Sequence, residues 1–255
     1  MSWTVAFTGK GGVGKTTVAA LTVRWLVEQR LTPVLAVDAD PNTCLDAVLG
    51  VQAPVTVGGV REEAKRIAQA DGAVGMSKQE LLDLKIQESL VEADNFDLIA
   101  MGRPEGPGCY CYANNVLRGV LGRLADKYPA VVIDNEAGLE NLSRRTVQKP
   151  DWLVFVAEPS ARGLLTARRL YDLALEMETC AKVMGVLVNR DRNGAAVSRV
   201  KELFAGTPVE ILGSIPENEQ LGVNDAAGTP VFQLPSDNPV FHTLSGILER
   251  MKARA

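Results

Sequence analysis

"WTVAFTGKGGVGKTT", Trp3 to Thr17, runs from a short apolar strand pattern through a glycine-rich turn into a helical stretch. Its core, "GKGGVGKTT" from Gly9 to Thr17, satisfies G-x-x-x-x-G-K-[ST] in the setting that gives the pattern its meaning, after a strand and opening a helix. In that setting glycine amides and the positive end of the helix cradle phosphates. Lys15 is then expected to reach the β- and γ-phosphates, and Thr16 to ligate Mg²⁺. Gly11, Gly12, Val13, Gly14, Lys15, Thr16 and Thr17 are the candidate phosphate-binding residues, and ATP or another nucleoside triphosphate is the expected ligand.

Beyond this loop, apolar runs alternate with helix-period segments. Strands are predicted at 3–9, 33–40, 96–102, 130–136, 152–159, 183–189 and 209–216. Most are continuous runs of Val, Ile and Leu, as in strands buried on both faces. Amphipathic stretches such as "TTVAALTVRWLVEQR", "VLRGVLGRLADKY", "LLTARRLYDLALEME" and "AAVSRVKELFAG" lie between them. The alternation predicts an α/β fold: one P-loop NTPase domain spanning residues 1–255, with a mostly parallel sheet of about seven or eight strands and helices on both faces. From about Val51 to Asp94 the rhythm breaks, and "GGVREEAKRIAQ" and "SKQELLDLKIQESLVEAD" read as helices inserted between the second and third strands.

Composition narrows the function classes. With 46% hydrophobic and 23% charged residues in 255, the chain has the make-up of an ordinary globular protein. A net charge of −4 and no basic run argue against a nucleic-acid partner. No stretch of about 18 apolar residues reads as a membrane span, and no charged-then-apolar leader opens the sequence. A cytoplasmic location, without membrane attachment, is expected. Of four cysteines, Cys44 and Cys180 read as small buried hydrophobes, and only Cys109 and Cys111 form a pattern. The single histidine, His242, has no acid or cysteine pattern around it and reads as structural.

Lys10 is a second lysine in a loop that already has its phosphate-binding one. With it, the motif resembles the deviant Walker A ATPases, the group of MinD, ParA and the nitrogenase iron protein. The resemblance implies that Lys10 reaches across a twofold homodimer to the partner's nucleotide. Further motifs follow the family's chain order. In "VDADP", Asp38 resembles the acid near Mg²⁺ and Asp40 the residue that positions the attacking water. "VVIDNEAG" resembles a Walker B strand, with Asp134 on the Mg²⁺ hydration shell and Gly138 in the γ-phosphate switch. Asn189 in "VLVNR" and Pro216 in "SIPEN" resemble the adenine-recognising asparagine and the base-pocket loop. The implied reaction is hydrolysis of ATP to ADP and phosphate, with Lys10, Lys15 and Asp40 as the catalytic residues.

"GRPEGPGCYCYANN", Gly102 to Asn115, is the remaining signal. If this segment is extended, period-two alternation turns Cys109 and Cys111 to one side. Two thiolates make a poor closed metal site, whereas a twofold dimer brings four together if the loop lies near its axis. Four sulfurs suit Zn²⁺, square-planar Ni²⁺ or an iron–sulfur cluster. Arg103, Arg118 and a helix beginning around Asn115 would lower the thiol pKa values. This stretch, with "VDADPNTCLD" and "DNEAGLENLSRR", resembles the CooC/AcsF class, nickel-insertion ATPases that mature carbon monoxide dehydrogenase and acetyl-CoA synthase. The resemblance implies that Cys109 and Cys111 bind Ni²⁺, or Zn²⁺ in the same site, across a nucleotide- or metal-promoted dimer, and that ATP drives delivery to such a nickel enzyme.

Two other readings stay open. An iron-protein-like reductase would place a cluster cysteine in "DNEAGLEN", which has none, although a C-x-C cluster carrier escapes that objection. A MinD- or ParA-like positioning ATPase would leave the thiol pair without a role. Its membrane-binding helix would have to come from "VFHTLSGILERMKARA", whose stripe of Phe241, Leu244, Leu248 and Met251 reads instead as docked on the domain.

Overall fold

In the computed structural model the apolar runs pair side by side into one sheet. The structure describes residues 2–60, 84, 87–103, 119, 122, 124–137, 150–179, 181–192 and 194–254. Cys109, Cys111, Gly138 and Cys180 lie outside the described residues, as do most of the predicted helical insertion and part of the helix read at 116–128. The strands are β1 (Trp3–Gly9), β2 (Val34–Ala39), β3 (Leu90–Glu92), β4 (Phe96–Ala100), β5 (Ala130–Asn135), β6 (Trp152–Ala157), β7 (Val183–Val188) and β8 (Glu210–Ser214). The described helices are α1 (Lys15–Glu28), α2 (Leu45–Leu49), α3 (Ala161–Glu176), α4 (Ala196–Leu203), α5 (Glu219–Ala226) and α6 (Pro239–Ala253).

Among the described residues the sheet has eight strands in the order β3-β4-β2-β5-β1-β6-β7-β8. Every pairing is parallel except β3 with β4. β3 departs from the sequence reading, which carried a helix to Asp94. Leu90 and Glu92 instead pair antiparallel with Ile99 and Asp97, and the turn is closed by Ala93 N–H donating to Phe96 O at 3.0 Å. The open edge of β4 supplies backbone partners that outweigh the helical period of the sequence before it.

Side-chain alternation divides the core into two layers. Val5 and Phe7 of β1, Val34 and Ala36 of β2, Val132 of β5 and Val154 of β6 pack with α1, α2 and α6. Their neighbours Ala6, Leu35, Val37, Ile133 and Phe155 pack on the other face with α3 and α4. Both faces are covered, which is why these strands read as unbroken apolar runs. The stripe read in the last helix is docked in this way: Phe241, Leu244, Leu248 and Met251 of α6 are all buried.

The order also locates the ligand crevice. From β1 the chain crosses over α1 toward β2, whereas from β6 it crosses over α3 to β7 on the opposite side. Ligands of open α/β sheets bind beyond the strand carboxyl ends where connections diverge in this way, here between β1 and β6.

One buried charge ties the helix that follows the loop to the rest of the domain. Arg24 of α1 is 3% exposed. Its guanidinium donates to the carbonyls of Val231 and Leu234, to Ser236 Oγ and to Glu28 Oε1, and lies 4.1 Å from the centre of the Phe241 ring. Arg24→Met keeps the apolar stem but strands two carbonyls. It is expected to destabilise by about 3 kcal/mol and to lower the melting temperature by roughly 10 °C, read by thermal denaturation.

Candidate nucleotide-binding site

The glycine loop leaves β1 under close constraint. Gly9 pairs with Val156 of β6, and a Cβ on Gly9 would stand 2.3 Å from Val156 O. Gly14 caps α1 at φ 88°, where a Cβ would stand 2.4 Å from Asn189 Nδ2. Neither position has room for a side chain. Lys15 is buried, and its Nζ donates to Lys10 O at 3.2 Å. Burial lowers its pKa, opposed by the charges of Asp134, Asp40 and Glu136. Gly12 O accepts from Arg190 Nη1 at 3.3 Å, Val13 O from Asn189 Nδ2 at 2.9 Å, and Gly14 O from Val18 N at 3.0 Å.

Strand register brings the acids together. Asp38 of β2 stands opposite Asp134 of β5, and both are almost fully buried. Asp38 is occupied in shaping its own turn: Oδ1 accepts from Asp40 N at 3.0 Å, and Oδ2 from Cys44 N at 2.8 Å and Leu45 N at 2.9 Å. Burial raises its pKa to about 6, against the lowering effect of those amides. Asp134 is raised to about 7, first by burial and then by Asp38 and Asp40, while the Thr16 hydroxyl and Lys15 oppose the shift. Among the described residues, Asp134 Oδ1 is buried with no hydrogen-bond partner.

An orphaned buried carboxylate oxygen, beside a carboxylate-bonded threonine hydroxyl and a second acid, is a hard oxygen donor set that fits Mg²⁺. Asp134 and Thr16 would hold such an ion, with Asp38 adding charge and shaping the adjoining turn. Asn135 Nδ2 donates to Phe7 O at 2.9 Å and fastens the end of β5 beside the loop.

Asp40 projects from the turn after β2. Its Oδ1 accepts from Asn42 N at 2.8 Å and Asn42 Nδ2 at 3.0 Å, and Arg103 donates to Asn42 Oδ1. Cys44, in the same turn, corrects the sequence reading: its side chain is exposed. The turn spends its backbone amides on Asp38 and leaves the thiol outside the core. Its pKa is raised by partial burial and by the surrounding acids, Asp38 first. Lys10 is 57% exposed, with Nζ 3.8 Å from Glu158 Oε1.

Behind the loop, Thr17, Asn189, Arg190, Arg192, Pro216, Glu217, Asn218, Leu221 and Asp225 line a cleft of 320 Å³. Asn189 and Pro216, both read as base-pocket residues, meet here. Thr17 joins them from α1. One wall is α5, which has no buried residue and is capped by Asn218 accepting from Leu221 N at 3.0 Å. The sequence reading passed over Arg190, Arg192 and Glu217. Arg192 and Glu217 form an exposed ion pair, and Arg190 takes φ 60°. The motifs "VLVNR" and "SIPEN" contain Arg190 and Glu217, whereas Arg192 lies two residues beyond the first of them, and nothing local marks a positive φ at an arginine. No group of three metal-ligating side chains occurs among the described residues, and His242 is exposed on α6.

The orphaned acid has a consequence for pH. The unfolded chain releases the Asp134 proton near pH 4, whereas the folded chain holds it to about pH 7. The folded state therefore binds the extra proton across that window, and this group lowers stability as pH rises through it. At pH 8 without Mg²⁺, Asp134→Asn is expected to melt about 5 °C higher than wild type and to lose stabilisation by Mg²⁺ with nucleotide. An unchanged melting temperature at pH 8 would contradict the cost assigned to this buried charge.

Comparison with known proteins agrees with this geometry. Residues 4–231 match the family described as CbiA, the CobQ/CobB/MinD/ParA nucleotide binding domain. An uncharacterised ATP-binding protein of Methanocaldococcus jannaschii is 41% identical over 251 residues, covering 97% of each chain. The carbon monoxide dehydrogenase accessory protein CooC of Rhodospirillum rubrum is 30% identical over 97% of each chain. Among solved structures, a ParA family ATPase from Chlorobium tepidum superposes with a TM-score of 0.72 at 21% identity, covering 97% of this chain and 98% of that one. A glycine loop opening a helix, paired acids beside it and a cleft behind it stand on the same sheet rim, and the chain belongs to the CobQ/CobB/MinD/ParA family of nucleotide-binding proteins.

Proposed function

We propose that this protein is an ATP-driven metallochaperone that carries nickel to a carbon monoxide dehydrogenase or acetyl-CoA synthase. The observation that carries the reading is the likeness to a carbon monoxide dehydrogenase accessory protein along 97% of both chains, in a sequence whose "GPGCYCY" presents a close thiol pair. Cys109 and Cys111 are the proposed ligands of the transported ion, Ni²⁺ or Zn²⁺, completed by the same pair of a second copy.

ATP hydrolysis in this proposal is positional and electrostatic. Gly11 to Gly14 and Lys15 hold the phosphates, Thr17 lies against the nucleotide, and Asn189 and Pro216 flank the base. When bound, Mg²⁺ on Thr16 and Asp134 supplies positive charge to the β- and γ-phosphates. Asp40 orients the attacking water, and Lys10 leaves Glu158 to meet the nucleotide of a partner subunit. The Lys10–Glu158 contact is exposed at both ends, so releasing it costs little. Hydrolysis thereby depends on dimerisation, and the dimer gathers the four thiolates.

A second reading, a positioning ATPase, is supported by 30% identity over 82% of this chain to the maintenance of carboxysome distribution protein A of Synechococcus elongatus. It gives Cys109 and Cys111 no task, which is why the metallochaperone is preferred.

Anaerobic titration with Ni²⁺ and Zn²⁺, with and without nucleotide, separates the two. One tightly held ion per dimer is expected, lost in the Cys109→Ser/Cys111→Ser variant while nucleotide binding is kept. Tight nickel binding by that double variant would refute the ligand assignment, and an absence of metal binding by wild type would favour the positioning ATPase. Lys15→Ala is expected to abolish every nucleotide-dependent change in mass or metal content without removing the metal site.

A further inference from the structure

We infer that Asn189 and Arg190 form an outer clamp that sets the direction of the phosphate-binding amides. A trans peptide is planar, so its C=O and N–H point to opposite sides. Arg190 Nη1 draws Gly12 O outward at 3.3 Å, and Asn189 Nδ2 draws Val13 O outward at 2.9 Å. The N–H groups across those two peptide planes belong to Val13 and Gly14. Holding the carbonyls toward the end of β7 turns these amides the other way, into the turn that receives an anion.

The clamp is built rather than incidental. Asn189 N–H donates to Ala157 O at 2.8 Å, which anchors the asparagine to the end of β6. Its Oδ1 accepts from Arg190 N at 3.0 Å, which sets the two side chains relative to each other. Arg190 is held at φ 60°, a region long side chains seldom occupy and a kind of strain retained where surrounding contacts demand it. Gly14 lacks the Cβ that would stand 2.4 Å from Asn189 Nδ2. Two consecutive residues therefore grip two consecutive carbonyls, and a glycine admits the closer of them. Asn189 also lines the base cleft, so one amide joins the base end of the site to its phosphate end. Both are positioning residues; neither needs to touch a reacting atom.

This inference rests on the loop's binding of nucleotide, and calorimetric titration with Mg·ATP and Mg·GTP tests it beside thermal melts of the free protein. Arg190→Gly removes the guanidinium and relieves the positive φ. It is expected to leave the melting temperature unchanged or higher while weakening both nucleotides by the same factor, about two- to fivefold, as an exposed charged contact can carry. Arg190→Lys keeps a donor and is expected to retain most of the affinity. Asn189→Ala is expected to weaken both nucleotides, by roughly tenfold. Unchanged binding by Arg190→Gly overturns the clamp, as does a loss confined to ATP in either variant, which would mark a base contact alone. A lower melting temperature for Arg190→Gly would make the residue merely structural. Wild-type protein that binds neither nucleotide would overturn the clamp together with the nucleotide site, an outcome distinct from all of these.

Discussion

Parallel pairing of β1 with β5 on one side and β6 on the other is the constraint on which the site depends. It places the glycine loop where chain connections diverge, with the acid ending β5 on one flank and the loop after β6 on the other. The same pairing presses Gly9 against the Val156 carbonyl, so the loop begins its turn with no side chain to spare. Both faces of the sheet are covered by helices, which keeps this rim as the place where strand ends and their polar residues gather.

Polar groups gathered at such a rim carry a cost. Asp38 meets it by accepting three backbone amides, which converts a buried charge into a template for the turn carrying Asp40 and Asn42. Asp134 meets it only in part, through Thr16 and Lys15, and retains an oxygen without a partner among the described residues. A divalent cation is the complement of that imbalance. The two carboxylates are therefore distinguished by their hydrogen bonds, although they lie opposite each other in one register.

The loop's outer surface matters as much as its inner one. Carbonyls of Lys10, Gly12, Val13 and Gly14 are each taken by a donor, from Lys15, Arg190, Asn189 and α1 respectively. Backbone amides bind an anion well only when prearranged, because turning them at the moment of binding consumes affinity. Holding the backs of the peptides is how a chain rich in glycine, and hence locally permissive, keeps one conformation. Arg24 extends the same logic to the helix behind the loop by fastening α1 to the segment before α6.

Much of this was legible in the sequence. The unbroken apolar runs announced a buried parallel sheet, and the glycine–lysine–threonine motif after the first of them announced the tight turn into α1, because both depend on neighbours a few residues apart. Asp38 and Asp134 were singled out as acids at strand ends within motifs that resemble the family's, and Asn189 and Pro216 by resemblance to its base-pocket motifs. Other features depend on partners far along the chain, and local pattern carries no record of them. Leu90–Glu92 became a strand because β4 had a free edge, and Cys44 stayed outside the core because the amides around it turned to Asp38. Arg190 took a left-handed backbone to reach a carbonyl 178 residues away in sequence. The sequence by itself determined the fold class, the loop and the chemical types at the site. Only the tertiary structure decided which acid was left with an oxygen to offer and which side chains hold the loop from behind, since hydrogen-bond partners are apportioned by position in space rather than by order in the chain.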